Sequence, residues 1–345
     1  MKKIGIIGHF GGNKTFTDGQ TVKTKEINNQ IESHYGIETI KFDTYKKSHN
    51  PFSLFMGVRR VLKKSDIVIL IVSERGYKII NILLNSLNKV YKKRLFDFVI
   101  GGTRYKVYDK SKKQKKNALK FEKIYVETNN MKKEYEKRQL NNVEVFPNFK
   151  KIELQDSSIM EDNKLKLCTF SRIRKEKGIE DSITAVELAN KKIRANKIHL
   201  DIYGIPDKDY AEQFEKIKEN FSNNIEYKGL VQPNESTSVI KNYDAMLFLT
   251  YWRSEGFPGT IIDSFFSGVP VIATDWNCNF EVLKENYTGI KTEINNPEKV
   301  SNLLVDLIHD KRKLLDMRRN CTIEAKKYLP ENIMKIFYNQ IEEDK

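Results

Sequence analysis

Short apolar runs alternate with longer amphipathic segments along this 345-residue chain. Four runs in the first half have the length of a buried strand: 3–7, 38–42, 66–72 and 96–100. Parallel strands need a crossover between them, usually a helix, so the alternation predicts a parallel sheet covered by helices on both faces. The pattern restarts near 164–170, after a polar linker over 150–163. The sequence therefore predicts two α/β units, which its length also favours.

Charge is distributed unevenly between the two halves. Residues 1–150 carry 32 Lys and Arg against 14 Asp and Glu, a net charge of +18, whereas the remaining residues carry 29 against 32, a net charge of −3. The densest part is the Lys- and Tyr-rich stretch 103–116, which reads as a loop or a surface helix. A basic half indicates an anionic partner, which could be a membrane surface, a polyphosphate, an acidic glycan or a nucleic acid.

Cysteine usage and hydropathy indicate the cellular compartment in which the protein is expected. The three cysteines are scattered, odd in number and without metal-ligand spacing, so free thiols in a reducing compartment are expected. The apolar run at the amino end is too short for a signal peptide, and the longest clean run, 67–72, is too short to span a bilayer. These features predict a cytoplasmic protein, soluble or peripheral to a membrane.

An acidic motif precedes an apolar helix in the second half. Glu255 and Asp263 flank a Gly/Pro turn with seven residues between them. Such a turn directs backbone N–H groups and a helix N-terminus at one point, which suits a phosphate, while carboxylates accept hydrogen bonds from sugar hydroxyls. An alternative interpretation needs no ligand, because Thr260 and Asp263 also have the spacing of a capping box. The motif predicts a nucleotide-sugar site or, failing that, a helix cap.

The motif resembles that of the family-4 (group 1) retaining glycosyltransferases of the bacterial surface-polysaccharide type. That family has the same acid, Gly-Phe, turn and second acid, then a helix and a segment like 267–273, although its second acid is more often Glu. The resemblance implies the GT-B fold, an α/β fold of two Rossmann-like domains facing across a cleft. An acceptor-binding domain over 1–150 and a nucleotide-sugar-binding domain over 151–330 are expected, with a C-terminal helix in 331–345 crossing back to the first domain.

The resemblance also implies the donor-side residues. Arg172 and Lys177 match a basic pair that holds the donor diphosphate, which gains charge as the glycosidic bond breaks. With Glu255, which would bond the donor sugar, they are the predicted catalytic residues. Asp263 would bind the ribose. The other predicted donor-binding residues are Phe257, Pro258, Gly259, Thr260, Gly204, Gly229, Leu230 and Val231. Taken alone, the basic pair could also be a solvated loop, and the glycines could be turn residues.

The glycine-rich loop near 8–25 resembles the acceptor-side loop of bacterial polysaccharide glycosyltransferases. It lacks G-x-G-x-x-G, so it is not a dinucleotide fingerprint. Many family members have a histidine after the strand that corresponds to 96–100, where this chain has Gly-Gly-Thr-Arg. The predicted acceptor-side residues are Gly11, Gly12, Gln20, Thr21, Lys23 and Arg104, with Lys23 meeting a phosphate. The D-x-D sequence at 207–209 is predicted to be solvated, and no metal is expected.

Together these features predict a retaining glycosyltransferase. It would transfer a sugar, from a UDP-sugar in preference to other nucleotide sugars, to a saccharide acceptor without a cofactor. The acceptor is expected to be a lipid-linked oligosaccharide of capsule or exopolysaccharide biosynthesis, reached at the anionic inner face of the cell membrane through the basic first domain. Two alternatives stay open: a GT-B sugar-nucleotide epimerase, and a non-enzymatic protein that binds nucleic acid through 103–116. No nucleic-acid partner is expected under the preferred interpretation.

Overall fold

The computed structural model describes residues 2–14, 19–45, 50–151, 163–232 and 234–342. The chain divides into two compact units, one formed by Met1–Asn148 with Pro330–Lys345 and the other by Phe149–Leu329. Most of the predicted linker over 150–163, and part of the predicted glycine-rich loop over 8–25, lie outside the described residues.

Each unit is built on a parallel sheet of six strands. The strands of the first unit are β1 (Ile4–Gly8), β2 (Thr39–Asp43), β3 (Ile67–Ile71), β4 (Arg94–Phe98), β5 (Lys123–Val126) and β6 (Val143–Val145). Their order in the sheet is β2-β1-β3-β4-β5-β6. Strands β1 and β3 are buried along their whole length, as expected for a parallel sheet with both faces covered. The short strand β5 is not among the predicted strands.

The second unit repeats this plan. Its strands are β7 (Leu165–Phe170), β8 (Ile198–Tyr203), β9 (Ile225–Gly229), β10 (Ala245–Phe248), β11 (Val271–Thr274) and β12 (Gly289–Thr292). Their order is β12-β11-β10-β7-β8-β9. The predicted α/β class with two parallel sheets is confirmed.

The helices of the first unit connect its successive strands. They are α1 (Gly19–Asn29), which continues as a π-helical turn (Gln30–His34), α2 (Pro51–Lys64), α3 (Glu74–Tyr91), α4 (Lys106–Lys110), α5 (Lys112–Ala118) and α6 (Asn129–Glu136). Helix α2 starts at a proline, and the side chain of Asn50 caps it by accepting from Ser53 N. Leu54, Val58 and Val61 on its inner face join one core cluster with β1, β3 and α3.

The basic stretch 103–116 is folded more tightly than a surface loop. It forms the two short helices α4 and α5, and the side chain of Tyr108 is buried in the core cluster beneath them. The ring of Tyr105 packs against the guanidinium of Arg138, 4.5 Å from the ring centroid. The two aromatic side chains that the sequence places among the lysines therefore serve packing within the unit.

The helices of the second unit are α7 (Ile179–Ile193), α8 (Ala211–Lys218), α9 (Ser236–Ile240), α10 (Gly259–Phe266), α11 (Asn279–Val282), α12 (Pro297–His309) and α13 (Arg312–Ala325). Helices α7 and α12 pack together over one core cluster, whereas α10 lies in a second cluster with Met246, Phe248 and Val271. Among the described residues, no helix is long and apolar enough to cross a membrane.

The last helix, α14 (Pro330–Glu342), packs on the first sheet. The ring of Phe337 lies 5.3 Å from that of Phe96 and 5.7 Å from that of Phe98. Since side chains alternate along a strand, these two residues of β4 face away from Leu95, which packs in the cluster that contains α2 and α3. Helix α14 therefore packs on the other face of the first sheet, and the prediction that the C-terminal helix returns to the first domain is confirmed.

Candidate functional site

The order in which strands are added to the second sheet reverses at its centre. From β7 the chain builds outward through β8 and β9 on one side, and β10 to β12 lie on the other side. In open α/β sheets, ligands bind outside the carboxyl ends of the strands at such a switch point. The loops that leave β7 (171–178) and β10 (249–258) both start at this point. They contain Arg172, Lys177 and Glu255.

Two glycines allow close contact between the loops at this edge. Gly178 has a φ of +70°, and a Cβ atom there would lie 2.2 Å from the carbonyl oxygen of Leu249. Gly204 has a φ of +141°, and its Cβ atom would lie 1.8 Å from the carbonyl oxygen of Ser171. Any other residue at either position would force the backbone of two loops apart. These glycines hold the basic loop in place.

The loop after β9 lies beside Gly204. The backbone N–H of Gly204 donates to the carbonyl of Gly229 over 2.9 Å, and Gly229 also has a left-handed φ of +76°. Leu230 is about half exposed, while Val231 packs against the α10 core cluster. The structure thus brings four of the predicted donor-binding residues to the same carboxyl edge as the basic loop.

Glu255 is held between a cation and a hydroxyl. Its Oε2 accepts from Lys177 Nζ over 2.5 Å and from Thr250 Oγ1 over 3.0 Å. The side chains of Lys177 and Glu255 are 13% and 12% exposed, so the pair is mostly buried but still reaches solvent. Such a charge-assisted bond orients the carboxylate, and it can be exchanged for a ligand that enters from solvent.

The two arginines of the basic loop share one acid. Arg172 has a side chain that is 61% exposed, with its Nε 3.4 Å from Asp207, whereas Arg174 Nη2 lies 3.0 Å from Asp207. Arg174 also stacks on Trp252, 3.9 Å from the ring centroid. Of the D-x-D sequence predicted to be solvated, Lys208 and Asp209 are exposed, whereas Asp207 is partly buried and paired with these arginines. In the described part of the chain, no group of three His, Cys, Asp or Glu side chains could hold a metal ion.

Both tryptophans of the chain lie at this site. The carbonyl of Trp252 accepts from the indole N–H of Trp276 over 2.9 Å and from Asn277 Nδ2 over 3.2 Å. The sequence analysis did not select Trp252 or Arg174. A further arginine in the basic loop and an aromatic residue just before the motif acid were the available signals. Intrinsic fluorescence therefore reports on the surroundings of this one site.

Helix α10 begins within the Gly/Pro turn of the motif. Its cap is Pro258, which has no side-chain capping bond, and Gly259 is its first residue. The hydroxyl of Thr260 donates to the carbonyl of Phe170 at the end of β7, so the turn is fixed to the centre of the sheet. Phe257 is buried against Tyr328. The first amide groups of α10 thus lie at the carboxyl edge of the sheet.

The carboxylate of Asp263 does not cap the helix. Asp263 is buried and accepts hydrogen bonds from Lys150 and from the hydroxyl of Ser236. The capping-box interpretation is therefore wrong. Burial raises the pKa of Asp263, and the ammonium of Lys150 opposes part of that shift. No local signal in the sequence pairs Lys150 with an acid 113 residues away.

The backbone of the predicted acceptor-side loop donates hydrogen bonds to an acid of its own unit, Asp43. Backbone N–H groups of Phe10 and Gly12 donate to the two carboxylate oxygens of Asp43, over 2.9 and 2.8 Å. Gly11 and Gly12 have left-handed φ values of +86° and +57°, which this turn requires. The glycines therefore shape the loop around Asp43.

Of the helical residues predicted on the acceptor side, two turn inward. Thr21 is buried, with its Oγ1 2.7 Å from His9 Nδ1, and Gln20 is partly exposed. The ammonium of Lys23 forms a buried ion pair with Glu127 over 2.7 Å. The expectation that Lys23 meets a phosphate needs correction, since its charge is already balanced inside the unit.

The prediction that Arg104 is an acceptor-side contact also needs correction, because its side chain is not exposed. Its guanidinium pairs with Asp97, and both side chains are completely buried. It lies over the ring of Tyr77, 4.2 Å from the centroid. Burial raises the pKa of Asp97 to about 6, and Arg104 acts in the opposite direction. The first cation after β4 is thus an interior residue.

Comparison with known proteins identifies a family and two relatives, each matching about half of the chain. A family model described as "Glycosyl transferases group 1" matches residues 150–328. The chain is 28% identical over 184 residues to an uncharacterized glycosyltransferase of Methanocaldococcus jannaschii, covering 52% of this chain and 44% of that protein. It is 32% identical over 159 residues to the GtfA subunit of a UDP-N-acetylglucosamine–peptide N-acetylglucosaminyltransferase of Streptococcus agalactiae, covering 45% and 30%. The chain spans less than half the length of either relative.

Solved structures match over the whole chain. The structure of Anabaena HepE in complex with UDP and glucose has a TM-score of 0.75 and 12% sequence identity, covering 99% of this chain and 100% of that chain. At this identity the likeness establishes the fold alone, which is the predicted GT-B fold.

Proposed function

This chain belongs to the group 1 glycosyl transferases, and we propose on that premise that it transfers a glycosyl group from a nucleotide sugar to a saccharide acceptor. One observation carries the proposal: a basic loop, a held carboxylate and the amino end of α10 meet at the switch point of the second sheet. A departing nucleoside diphosphate gains negative charge, which cations and a helix N-terminus stabilise.

Arg172 and Lys177 are proposed to bind the donor diphosphate. Arg172 is largely exposed and only loosely paired with Asp207, so its guanidinium can turn to phosphate oxygens. Lys177 would share its charge between Glu255 and the diphosphate, while Glu255 accepts hydrogen bonds from donor-sugar hydroxyls. Asp263 is proposed to bind the ribose, sharing or exchanging its bond with Lys150.

We propose that transfer retains the anomeric configuration. The acceptor oxygen forms its bond to the anomeric carbon on the face from which the diphosphate leaves. The old carbon–oxygen bond breaks with its electron pair going to the diphosphate, and the acceptor proton passes to a phosphate oxygen. Glu255, engaged by Lys177 and Thr250, orients the sugar rather than attacking it. Arg172 and Lys177 supply the positive charge this step needs, so metal-independent and cofactor-free transfer is proposed.

UDP is the proposed nucleotide of the donor. Two relatives support this choice, since HepE was solved with UDP and glucose and the GtfA subunit is named for UDP-N-acetylglucosamine. Contacts to the base are proposed to come from the backbone of Gly229, Leu230 and Val231, in the loop that lies beside Gly204. The acceptor is proposed to be a lipid-linked oligosaccharide of surface-polysaccharide biosynthesis.

The protein is proposed to work in the cytoplasm, peripheral to the inner face of the cell membrane. The net charge of +18 in residues 1–150 supports attraction to anionic lipid. Binding of nucleic acid is not favoured, because single-stranded bases stack on exposed aromatic side chains and the tyrosines of 103–116 pack within the unit.

A ligand screen tests the donor site. UDP, GDP, ADP and NAD are compared by thermal shift, calorimetry and intrinsic fluorescence, using wild type, Arg172→Ala and the control Arg319→Ala. Arg319 is also an exposed arginine paired with an aspartate, its side chain being 80% exposed. We expect UDP alone to raise the melting temperature. We expect Arg172→Ala to weaken UDP binding roughly 10- to 100-fold, and Arg319→Ala to leave it unchanged. Equal binding by both variants, or no response to any nucleotide, would contradict the proposal.

A further inference from the structure

The exposed apolar side chains of the first unit lie on adjoining helices. Among its described residues, six large apolar side chains are more than a third exposed: Phe52, Phe55 and Met56 of α2, Ile79 and Val90 of α3, and Leu119 just after α5. Helix α3 contacts both α2 and α5. These three helices form one continuous surface, here called the outer layer, on the face of the first sheet opposite α14.

Helix α2 has an unusual outward face. Its buried side is the ordinary apolar stripe of Leu54, Val58 and Val61. The opposite side should be polar, yet its first half exposes Phe52, Phe55 and Met56, with Phe52 74% exposed. The second half of the same face carries Arg59, Arg60, Lys63 and Lys64. The helix therefore presents an apolar end and a cationic end along one exposed strip.

Charge on the outer layer has a single sign. Helices α2, α3 and α5 contain eleven Lys and Arg but one acid, Glu74, and that acid pairs with Lys78 over 2.7 Å. On α5 the side chains of Lys112, Lys113 and Lys116 are exposed. An anionic surface would be attracted to this layer at every helix. A partner with anionic charge alone would leave Phe52, Phe55 and Met56 in water.

We propose that the outer layer docks on a membrane rich in anionic lipid, with Phe52, Phe55 and Met56 entering the interface beside the headgroup phosphates bound by Arg59 and Lys63. A helix with aromatic and cationic residues on its exposed face lies in the plane of the interface, where acyl chains take the rings and phosphates take the cations. This deepens the membrane association proposed above by naming its surface and adding apolar insertion. It does not depend on the transfer reaction.

Vesicle sedimentation of the full chain tests both components. The vesicles are phosphatidylcholine alone, or phosphatidylcholine with about a third phosphatidylglycerol. The apolar variant is Phe52→Ser/Phe55→Ser/Met56→Ser, and the charge variant is Arg59→Gln/Lys63→Gln. Their controls on α13 of the second unit are Leu315→Ser/Ile323→Ser and Lys313→Gln/Arg319→Gln, at exposed positions. We expect each outer-layer variant to bind anionic vesicles roughly tenfold more weakly or worse, and the controls to bind as wild type.

A labelled cysteine tests insertion directly. The three native cysteines are buried, so Phe52→Cys can be labelled with an environment-sensitive fluorophore, with Leu315→Cys as the control. We expect anionic vesicles to shift the emission of the label at position 52 to shorter wavelength and to leave that at position 315 unchanged. UDP binding, followed by tryptophan fluorescence in every variant, keeps failure of the donor site separate from failure of this proposal. Sedimentation without a shift at position 52, unchanged binding by the apolar variant, or preference for RNA over vesicles would overturn the proposal.

Discussion

The two units each hold a close ion pair near the carboxyl end of a central strand, but the pairs differ in their access to solvent. In the first unit Asp97 and Arg104 are completely enclosed, and Asp97 Oδ1 and Arg104 Nε have no hydrogen-bond partner among the described residues. In the second unit Lys177 and Glu255 each remain slightly exposed. An enclosed pair cannot change partners without opening the core, whereas a pair that reaches solvent can. Burial therefore separates a pair that maintains the fold from a pair available to a ligand.

The largest effect is expected from breaking the enclosed pair. Asp97→Asn leaves the charge of Arg104 uncompensated in the core and should lower the free energy of unfolding by about 3–5 kcal/mol. Replacing both residues, as in Asp97→Leu/Arg104→Met, should restore most of it, because no buried charge remains. Urea denaturation measures both. Asp109→Asn, which breaks an exposed pair with Arg138, should cost about 1 kcal/mol or less. An equal loss in the free energy of unfolding for Asp97→Asn and Asp109→Asn would contradict the prediction.

Breaking the accessible pair should affect transfer more than stability. Glu255→Gln keeps the shape of the side chain but removes the charge that orients a donor sugar, so the transfer rate should fall roughly 10²- to 10³-fold. The melting temperature should fall by less than it does in Asp97→Asn, since the Lys177–Glu255 pair still reaches solvent. The control is Glu298→Gln, which alters an exposed pair with Lys192 in the same unit. A large loss of stability with normal transfer in the folded fraction would place Glu255 with the structural pair instead.

The pair of Lys150 and Asp263 is intermediate, since the acid is buried and the lysine partly exposed. Because the folded state raises the pKa of Asp263, its stabilising contribution is complete below the ordinary value of 3.8 and is lost as pH rises through the raised pKa. Lys150→Met removes the cation that limits this loss. The variant should be less stable by about 1–3 kcal/mol at neutral pH and nearly unchanged in acid.

This difference is tested by measuring the melting temperatures of wild type and Lys150→Met between about pH 4 and pH 7. Asp263→Asn should remove most of the pH dependence that Lys150→Met adds. Lys299→Met, at an exposed lysine that pairs with Glu293, provides the control. A constant offset between wild type and Lys150→Met at all pH values would mean that the carboxylate of Asp263 is not what Lys150 stabilises.

The smallest effect is expected at the stacked arginine. Arg174→Gln removes a cation–π contact with Trp252 and a bond to Asp207, both partly exposed, so stability should fall by only about 0.5–1 kcal/mol. The tryptophan emission spectrum should nevertheless change, because Trp252 loses the guanidinium stacked on its ring. Arg319→Gln serves as the control. An unchanged spectrum would show that the stack does not persist in solution.

The sequence predicted the elements with strong periodicity and missed those too short to show any. Strands β1, β3 and β7 each begin within one residue of their predicted starts. The four-residue strands β5 and β12 and the short helix α9 were missed, because such segments contain too few residues to show a period. Tertiary context alone makes them regular.

The candidate site was predicted in its local parts and not in its long-range contacts. Glu255 and Lys177 were implied by the resemblance of their motifs to those of the family, and the structure joins them. The partners of Lys23, Arg104 and Asp263 could not be predicted, because each depends on a residue supplied by another strand or loop. A charged residue type in a loop indicates chemistry only when its side chain stays accessible, and the sequence does not encode accessibility locally.

The position of α14 has a consequence for synthesis of the protein. Phe337 completes the packing around Phe96 and Phe98 of the first unit, yet it is translated only after the whole of the second unit. The second unit is contiguous and can fold as soon as it leaves the ribosome, whereas the first unit, although translated earlier, lacks part of the cover on one face of its sheet until α14 emerges. Domains usually fold in the order of translation, amino-terminal first, whereas here the second unit can complete its fold before the first unit does. The first unit without α14 is the state most exposed to chaperones and to aggregation.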